Sequence, residues 1–111
     1  MERIAFVTRL ARPELTEDDA LAVDPCAGRG MTVIAVPWDD DDVDWRAFDG
    51  VVLRSCWDYH RWPTRFSAWL SALERARLRV INPPRICRWN MRKSYLLFLE
   101  RRGVLVPPTV L

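Results

Sequence analysis

Four short apolar runs along the chain are typical of buried β-strands. They are "RIAFVT" at residues 3–8, "MTVIAVPW" at 31–38, "GVVLR" at 50–54 and "LRVIN" at 78–82. The runs are apolar on both faces, and such strands occur in parallel sheets that helices cover on each side. The pattern therefore predicts four strands of a mostly parallel sheet.

A short helix is predicted between the first two strands. Thr16, with Asp19 three residues later, forms a capping box ahead of the apolar stretch "ALAV". Pro25 then falls where the middle turns of this helix should lie, and proline there costs roughly 3 kcal/mol. We therefore expect the first helix to be short or kinked and to end near Val23.

Two further helices are predicted in the second half of the chain. Pro63 opens one of them, and the inward face of this helix is formed by Phe66, Trp69, Leu70 and Leu73. The last helix is expected from about Asn90 to Arg102, with Leu96 and Leu99 facing inward. Gly103 is expected to end it in the left-handed conformation.

Strands and helices that alternate in this way predict an α/β fold. We expect a small three-layer domain at residues 1–103, with a mostly parallel sheet of about four strands. Residues 104–111, "VLVPPTVL", are predicted to be an extended linker. Ligands of such sheets bind at the carboxyl ends of the strands.

Composition narrows the class of protein. The chain has 111 residues, 50% hydrophobic and 29% charged, which is typical of one globular domain. No apolar run approaches the ~18 residues of a membrane span, and no secretory leader is recognised, so a cytoplasmic protein without membrane contact is expected. The net charge of +2 is spread along the chain, which argues against nucleic acid as a partner. Three widely spaced cysteines indicate reduced thiols.

Polar residues follow the third predicted strand directly. Arg54 and Ser55 could hold a carboxylate or phosphate at this strand end, and Asp58 could fix the arginine or receive an amine. In the alternative interpretation Asp58 caps a turn and Arg54 is its internal partner. Position alone does not separate the two.

Other chemically suggestive features have simpler interpretations. The acidic run at residues 39–42 lacks the spacing of a calcium loop and is interpreted as a solvated loop. Cys56 and His60 are interpreted as a buried thiol and a surface histidine rather than a catalytic pair. Most of the six tryptophans are expected to anchor the core or an interface.

Two longer stretches resemble a known family. They are "VVLRSCWDYHRWPTRFSAWL" at residues 51–70 and "INPPRICRWNMRKSYLLFLERRGVLVPPTV" at 81–110. Together they resemble the amino-terminal region of ATP-grasp ligases, in the glutathione-synthetase-like group that includes the cycloserine-forming cyclo-ligase. The chain departs from the family pattern at Cys56, at Arg92 and in "VDPCAGRG" at residues 23–30.

The resemblance implies a fold and a set of site residues. It implies a Rossmann-like pre-ATP-grasp domain, with a substrate-binding corner formed by Arg54, Ser55, Trp57, Asp58 and Tyr59. Lys93 matches the family lysine that reaches nucleotide phosphate, and Asn90 would cap the helix that carries it. Both are therefore expected on the cofactor side of the site.

The resemblance also implies how the chain functions. Family members are ATP-dependent carboxylate-amine ligases that use magnesium, and their catalytic ATP-grasp domain follows the PPT segment. We therefore expect a fragment that is not catalytic alone and binds neither ATP nor magnesium tightly. Its partners would be a carboxylate or amine substrate, and either the ATP-grasp domain or a second copy at an exposed face. The alternative is a stand-alone binding module that pairs with a separate protein.

Overall fold

The computed structural model of the protein describes residues 1–54, 56, 61–91 and 94–107. Its strands are β1 (Glu2–Thr8), β2 (Met31–Pro37), β3 (Gly50–Leu53) and β4 (Val80–Ile81). Its helices are α1 (Glu17–Ala20), α2 (Val23–Ala27), α3 (Pro63–Arg75), α4 (Pro84–Asn90) and α5 (Tyr95–Arg101), and a 3₁₀ turn spans Trp45–Ala47.

The four strands form one parallel sheet in the order β2-β1-β3-β4. This confirms the predicted α/β fold and the predicted strand positions, although β4 is shorter than its apolar run. The two central strands, β1 and β3, are the ones that contribute fully buried residues to the core, including Val7 and Val51. Central strands of a covered parallel sheet are apolar for this reason.

The core lies between the sheet and α3. The four α3 residues predicted to face inward are all buried, and Leu70 has no exposed surface. Trp38 joins them from the residue after β2 and packs edge-on against Phe66, with ring centroids 5.0 Å apart. Pro63 begins the helix as expected, because its fixed φ suits the first helical position and its missing N–H is not needed there.

The region of the first predicted helix contains two short helices. α1 ends at Ala20, and α2 begins at Val23 with Pro25 as its third residue. The prediction of a short first helix is confirmed, but the predicted end near Val23 is wrong, because α1 ends at Ala20 and a second helix begins at Val23 and runs through Pro25. The N–H groups in the first turn of a helix have no intrahelical acceptor, so proline at the third position costs α2 no hydrogen bond. Gly30, at φ +80°, then turns the chain into β2.

The prediction of one helix from about Asn90 to Arg102 is wrong at its beginning. Asn90 is the last residue of α4, a helix that the sequence analysis missed, and α5 begins only at Tyr95. Asn90 is therefore not the amino-terminal cap of the last helix. The predicted end is correct, because Gly103 has φ +86° and its N–H donates to the Glu100 carbonyl.

The remaining segments add two findings. In the part of the chain that the structure describes, no helix has the length and apolar character needed to cross a membrane. Residues 104–107 follow α5 without regular secondary structure. The division into a domain at 1–103 and a linker at 104–111 remains a prediction.

Candidate functional site

The carboxyl ends of β1 and β3 lie side by side at one edge of the sheet. Val7 of β1 is opposite Leu53 of β3 in the parallel register, so the chain leaves both strands at the same level. Open parallel sheets bind their ligands at this edge. Arg54 is the first residue after β3 and is therefore placed where the sequence predicted.

The Arg54 guanidinium is held by Asp19. One carboxylate oxygen, Asp19 Oδ1, accepts from Arg54 Nε at 2.9 Å and lies 2.7 Å from Arg54 Nη2. The hydrogen bond to Asp19, followed by the charge of that carboxylate, raises the pKa of Arg54 above its ordinary value. The Arg54 side chain is 51% exposed, whereas that of Asp19 is 4% exposed. The pair thus consists of a buried carboxylate and a half-exposed guanidinium that keeps its positive charge.

Asp19 was not recognised from the sequence as a site residue. It lies in the first turn of α1, and its backbone N–H donates to Thr16 Oγ1 at 3.1 Å. The Thr16 half of the predicted capping box is therefore present, and the Asp19 carboxylate contacts Arg54 across 35 residues of sequence. The capping-box position signalled a role for Asp19 within its helix, but nothing local signalled the distant arginine.

All four of the other predicted substrate residues lie outside the part of the chain that the structure describes. Ser55, Trp57, Asp58 and Tyr59 lie outside the described residues, as does His60. The two interpretations of Asp58 therefore stay open, although the structure shows that Asp19 is a partner of Arg54.

The side chains of both predicted cofactor residues are also outside the described part of the structure. Lys93 lies outside the described residues, and Asn90 is placed only through its backbone, at the end of α4. Because α4 and α5 are separate helices, the four residues 91–94 connect them.

A cleft of about 620 Å³ opens beside this connection, between the start of α3 and the end of α4. Its lining combines hydroxyl and apolar groups with one arginine: Pro63, Thr64, Ser67, Arg88, Trp89, Met91 and Ser94. Arg88 fixes the cleft wall by donating to Glu74 Oε1 at 2.5 Å and to Ser71 Oγ at 2.6 Å. Residues of α3 and α4 thus form this cleft together.

The acidic run has the structural role of a loop. Asp39 Oδ1 accepts from the Leu10 backbone N–H at 2.8 Å, and Asp44 caps the 3₁₀ turn through the Arg46 N–H. Asp40 accepts from the N–H of Asp42 within the loop. In the described part of the chain no group of three or more acidic, histidine or cysteine side chains is arranged to hold a metal ion.

The cysteines and tryptophans fit their simple interpretations where they are described. Cys56 is buried, and Cys26 and Cys87 are half-buried. Burial raises the pKa of the Cys87 thiol. Trp38 and Trp69 are buried in the core, whereas Trp89 is exposed next to the α3–α4 cleft.

Comparison with known proteins identifies relatives over most of the chain. The family described as "D-cycloserine synthetase DcsG, N-terminal domain" matches residues 4–82. The cycloserine biosynthesis protein DcsG of Streptomyces lavendulae is 34% identical over 108 residues, which is 96% of this chain and 35% of that protein. The crystal structure of D-cycloserine synthetase DcsG superposes with a TM-score of 0.82 at 31% identity.

The structural match has the same extent as the match in sequence. It covers 96% of this chain and 35% of the DcsG chain, so the chain spans about a third of the length of the relatives it matches. The similarity in sequence and in fold thus concerns one domain of a larger protein. By these matches the chain belongs to the family of D-cycloserine synthetase DcsG amino-terminal domains.

Proposed function

We propose that these 111 residues are the substrate-side amino-terminal domain of an ATP-dependent carboxylate-amine ligase of the ATP-grasp superfamily. In this proposal they bind one substrate and are not catalytic alone, because nucleotide clamping and phosphate transfer belong to an ATP-grasp domain. The family match to the amino-terminal domain of a synthetase supports the assignment. The 35% coverage of DcsG supports the division of labour.

The position of Arg54 is the structural observation that carries the proposal. Its guanidinium lies at the carboxyl end of a central strand, half exposed and charged. A planar guanidinium matches the two oxygens of a carboxylate, and a carboxylate is the group that such a ligase activates. We place Arg54 at the substrate corner together with Ser55, Trp57, Asp58 and Tyr59.

The proposal includes the cofactors of such a ligase. ATP with magnesium would convert a carboxylate into an acyl phosphate, which an amine then attacks. Lys93 would contact the nucleotide phosphates through its single positive charge, with Asn90 close to it in the chain. We assign tight ATP and magnesium binding to the ATP-grasp domain, and a cytoplasmic location to the enzyme.

Turnover by the isolated residues and by a chimera tests this assignment. In the chimera, these 111 residues replace the matched part of Streptomyces lavendulae DcsG. We expect no ATP hydrolysis from the isolated residues, and ATP-dependent cycloserine formation from the chimera. The exposed pair Arg65–Asp41 provides a control, because the Arg65→Lys chimera should match the unsubstituted one. Turnover by the 111 residues alone would overturn the proposal.

A second candidate function is favoured by one surface. The α4–α5 apolar surface consists of exposed side chains at the end of the described chain: Trp89, Leu97, Phe98, Val104 and Leu105. The rings of Trp89 and Phe98 pack edge-on with centroids 5.9 Å apart, and large exposed apolar patches mark interaction sites. In the proposed ligase this surface meets the ATP-grasp domain, whereas in a stand-alone binding module it meets a separate protein.

The solution behaviour of the 111 residues distinguishes the two candidates. A domain separated from its ATP-grasp partner should self-associate through the α4–α5 apolar surface. A stand-alone module should be monodisperse or should bind its partner at that surface. Light scattering measures the molecular mass in solution of the unsubstituted protein and of Leu105→Asp. A charge placed in this surface should prevent any self-association that depends on it.

A further inference from the structure

The buried carboxylate of Asp19 contacts the Arg54 guanidinium at a distant strand end. We infer that Asp19 is a positioning residue, which orients the Arg54 guanidinium so that its outer edge receives a carboxylate of a small-molecule substrate. This inference rests on the proposed function for the identity of the substrate. The contact itself is independent of that function.

The geometry of the contact is side-on. Asp19 Oδ1 takes both Arg54 Nε and Arg54 Nη2, at 2.9 and 2.7 Å. This engages the inner edge of the guanidinium and uses two of the five donors that an arginine carries. The Arg54 side chain is 51% exposed at the carboxyl end of β3, which leaves the outer edge as the one that we assign to the ligand.

Burial makes Asp19 a rigid anchor. Its side chain is 4% exposed, and a buried carboxylate stays charged only when it is paired and hydrogen-bonded. The Thr16 hydroxyl further fixes the first turn of α1, from which Asp19 projects. A guanidinium held in this way does not have to be ordered when the ligand binds, and avoiding that ordering strengthens binding.

Charge and orientation predict opposite effects when the anchor is removed. Asp19 competes with a bound carboxylate for the same cation, so electrostatics alone predicts that Asp19→Ala binds an anion more tightly. Loss of orientation predicts weaker binding, by about twofold to tenfold, because one rotamer-rich side chain must then be immobilised. The sign of the change in anion affinity therefore distinguishes a residue that positions Arg54 for a ligand from one that only joins α1 to the end of β3.

Acetate provides the probe, measured on the 111 residues without ATP. The Arg54 Nε–H signal in ¹H–¹⁵N spectra, assigned by its loss in Arg54→Lys, is followed as sodium acetate replaces sodium chloride at equal ionic strength. We expect saturable shifts in the unsubstituted protein. Asp19→Ala should weaken acetate binding, whereas Asp19→Asn, which keeps an oxygen acceptor for the guanidinium, should bind acetate at least as well. Arg65→Lys is the matched control, because Arg65 is 48% exposed and paired with Asp41 elsewhere.

Several results would overturn the inference. These are no saturable response in the unsubstituted protein, a response to phosphate but not to acetate, and equal or tighter acetate binding in Asp19→Ala. If circular dichroism shows that Asp19→Ala does not fold, acetate binding is measured on Asp19→Glu instead. This variant keeps the negative charge but displaces the guanidinium by one methylene, so a positioning role again predicts weaker acetate binding. An inactive chimera would refute the proposed ligase and leave the acetate result unaffected, so the two failures are distinguishable.

Discussion

Arg88 fastens α4 to α3, and replacing it with alanine should loosen that attachment. Its guanidinium donates to Glu74, to Ser71 Oγ and to the Ser67 carbonyl and hydroxyl, at 2.5 to 3.4 Å. Because the Arg88 side chain is 32% exposed and that of Glu74 45% exposed, the ion pair is largely screened and contributes about 0–1 kcal/mol. The hydrogen bonds to the two serines bring the total to about 2 kcal/mol.

The effect of this loss should be concentrated in α4. A helix of seven residues has no stability of its own, so α4 depends on its contacts with α3. A loss of about 2 kcal/mol raises the equilibrium constant for detachment roughly thirtyfold. The α3–α4 cleft, which Arg88 lines, would lose its defined shape with it.

Hydrogen exchange of residues 84–90 measures the loosening directly. We expect Arg88→Ala to lower the protection of these amides about thirtyfold, while the amides of β1 change less. Arg85→Ala is the control, because Arg85 is exposed on the same helix near its positively polarised amino terminus. Unchanged protection in Arg88→Ala, or an equal loss in Arg85→Ala, would show that the attachment does not depend on Arg88.

Three further predictions concern the core, a helix end and a thiol. Leu70→Ala should lower the free energy of unfolding by about 2–5 kcal/mol in urea titrations, because Leu70 is fully buried, and Leu97→Ala on the surface by under ~1 kcal/mol. Gly103→Ala should destabilise the end of α5 by about 1–2 kcal/mol, since its φ is +86°. Gly28→Ala, at a helical φ, should be nearly neutral, and amide-exchange protection is compared between the two variants. Alkylation of Cys87 should rise with pH through a midpoint above the usual thiol pKa, read by mass spectrometry, and a midpoint below it would contradict the burial argument.

The sheet and α3 were predictable because their residues follow simple periodicities. Uninterrupted apolar runs indicated strands that are covered on both faces, and the spacing of buried residues along α3 identified its inner side. Gly103 was predictable for a different reason, since glycine is the residue that most readily adopts the left-handed conformation at a helix end.

α4 could not be predicted from the same signals. Pro83 and Pro84 were not recognised as a helix start, and the helix that follows is joined to α3 by Arg88 hydrogen bonds, with Cys87 packed against the core. The pattern of apolar residues in the sequence does not reveal hydrogen bonds of this kind. Asn90 then read as the cap of the next helix, because asparagine is a good amino-terminal cap wherever a helix follows.

The candidate site was predictable only in part. Arg54 was identified from its position after an apolar strand, which depends on local sequence alone. Its anchor Asp19 lies in another element, and no local pattern connects a first-turn carboxylate to an arginine at a distant strand end. A pairing of this kind is created by the tertiary fold.

The most direct test of the central claim is the steady-state kinetics of the Arg54→Lys chimera with DcsG. A residue on the substrate side should affect the KM for the carboxylate substrate and leave the KM for ATP alone. Because lysine keeps the charge but loses the planar fork, we expect the substrate KM to rise about tenfold and the ATP KM to change less than about twofold. An increase confined to the ATP KM, or no change in either constant, would contradict the assignment of this domain to the substrate.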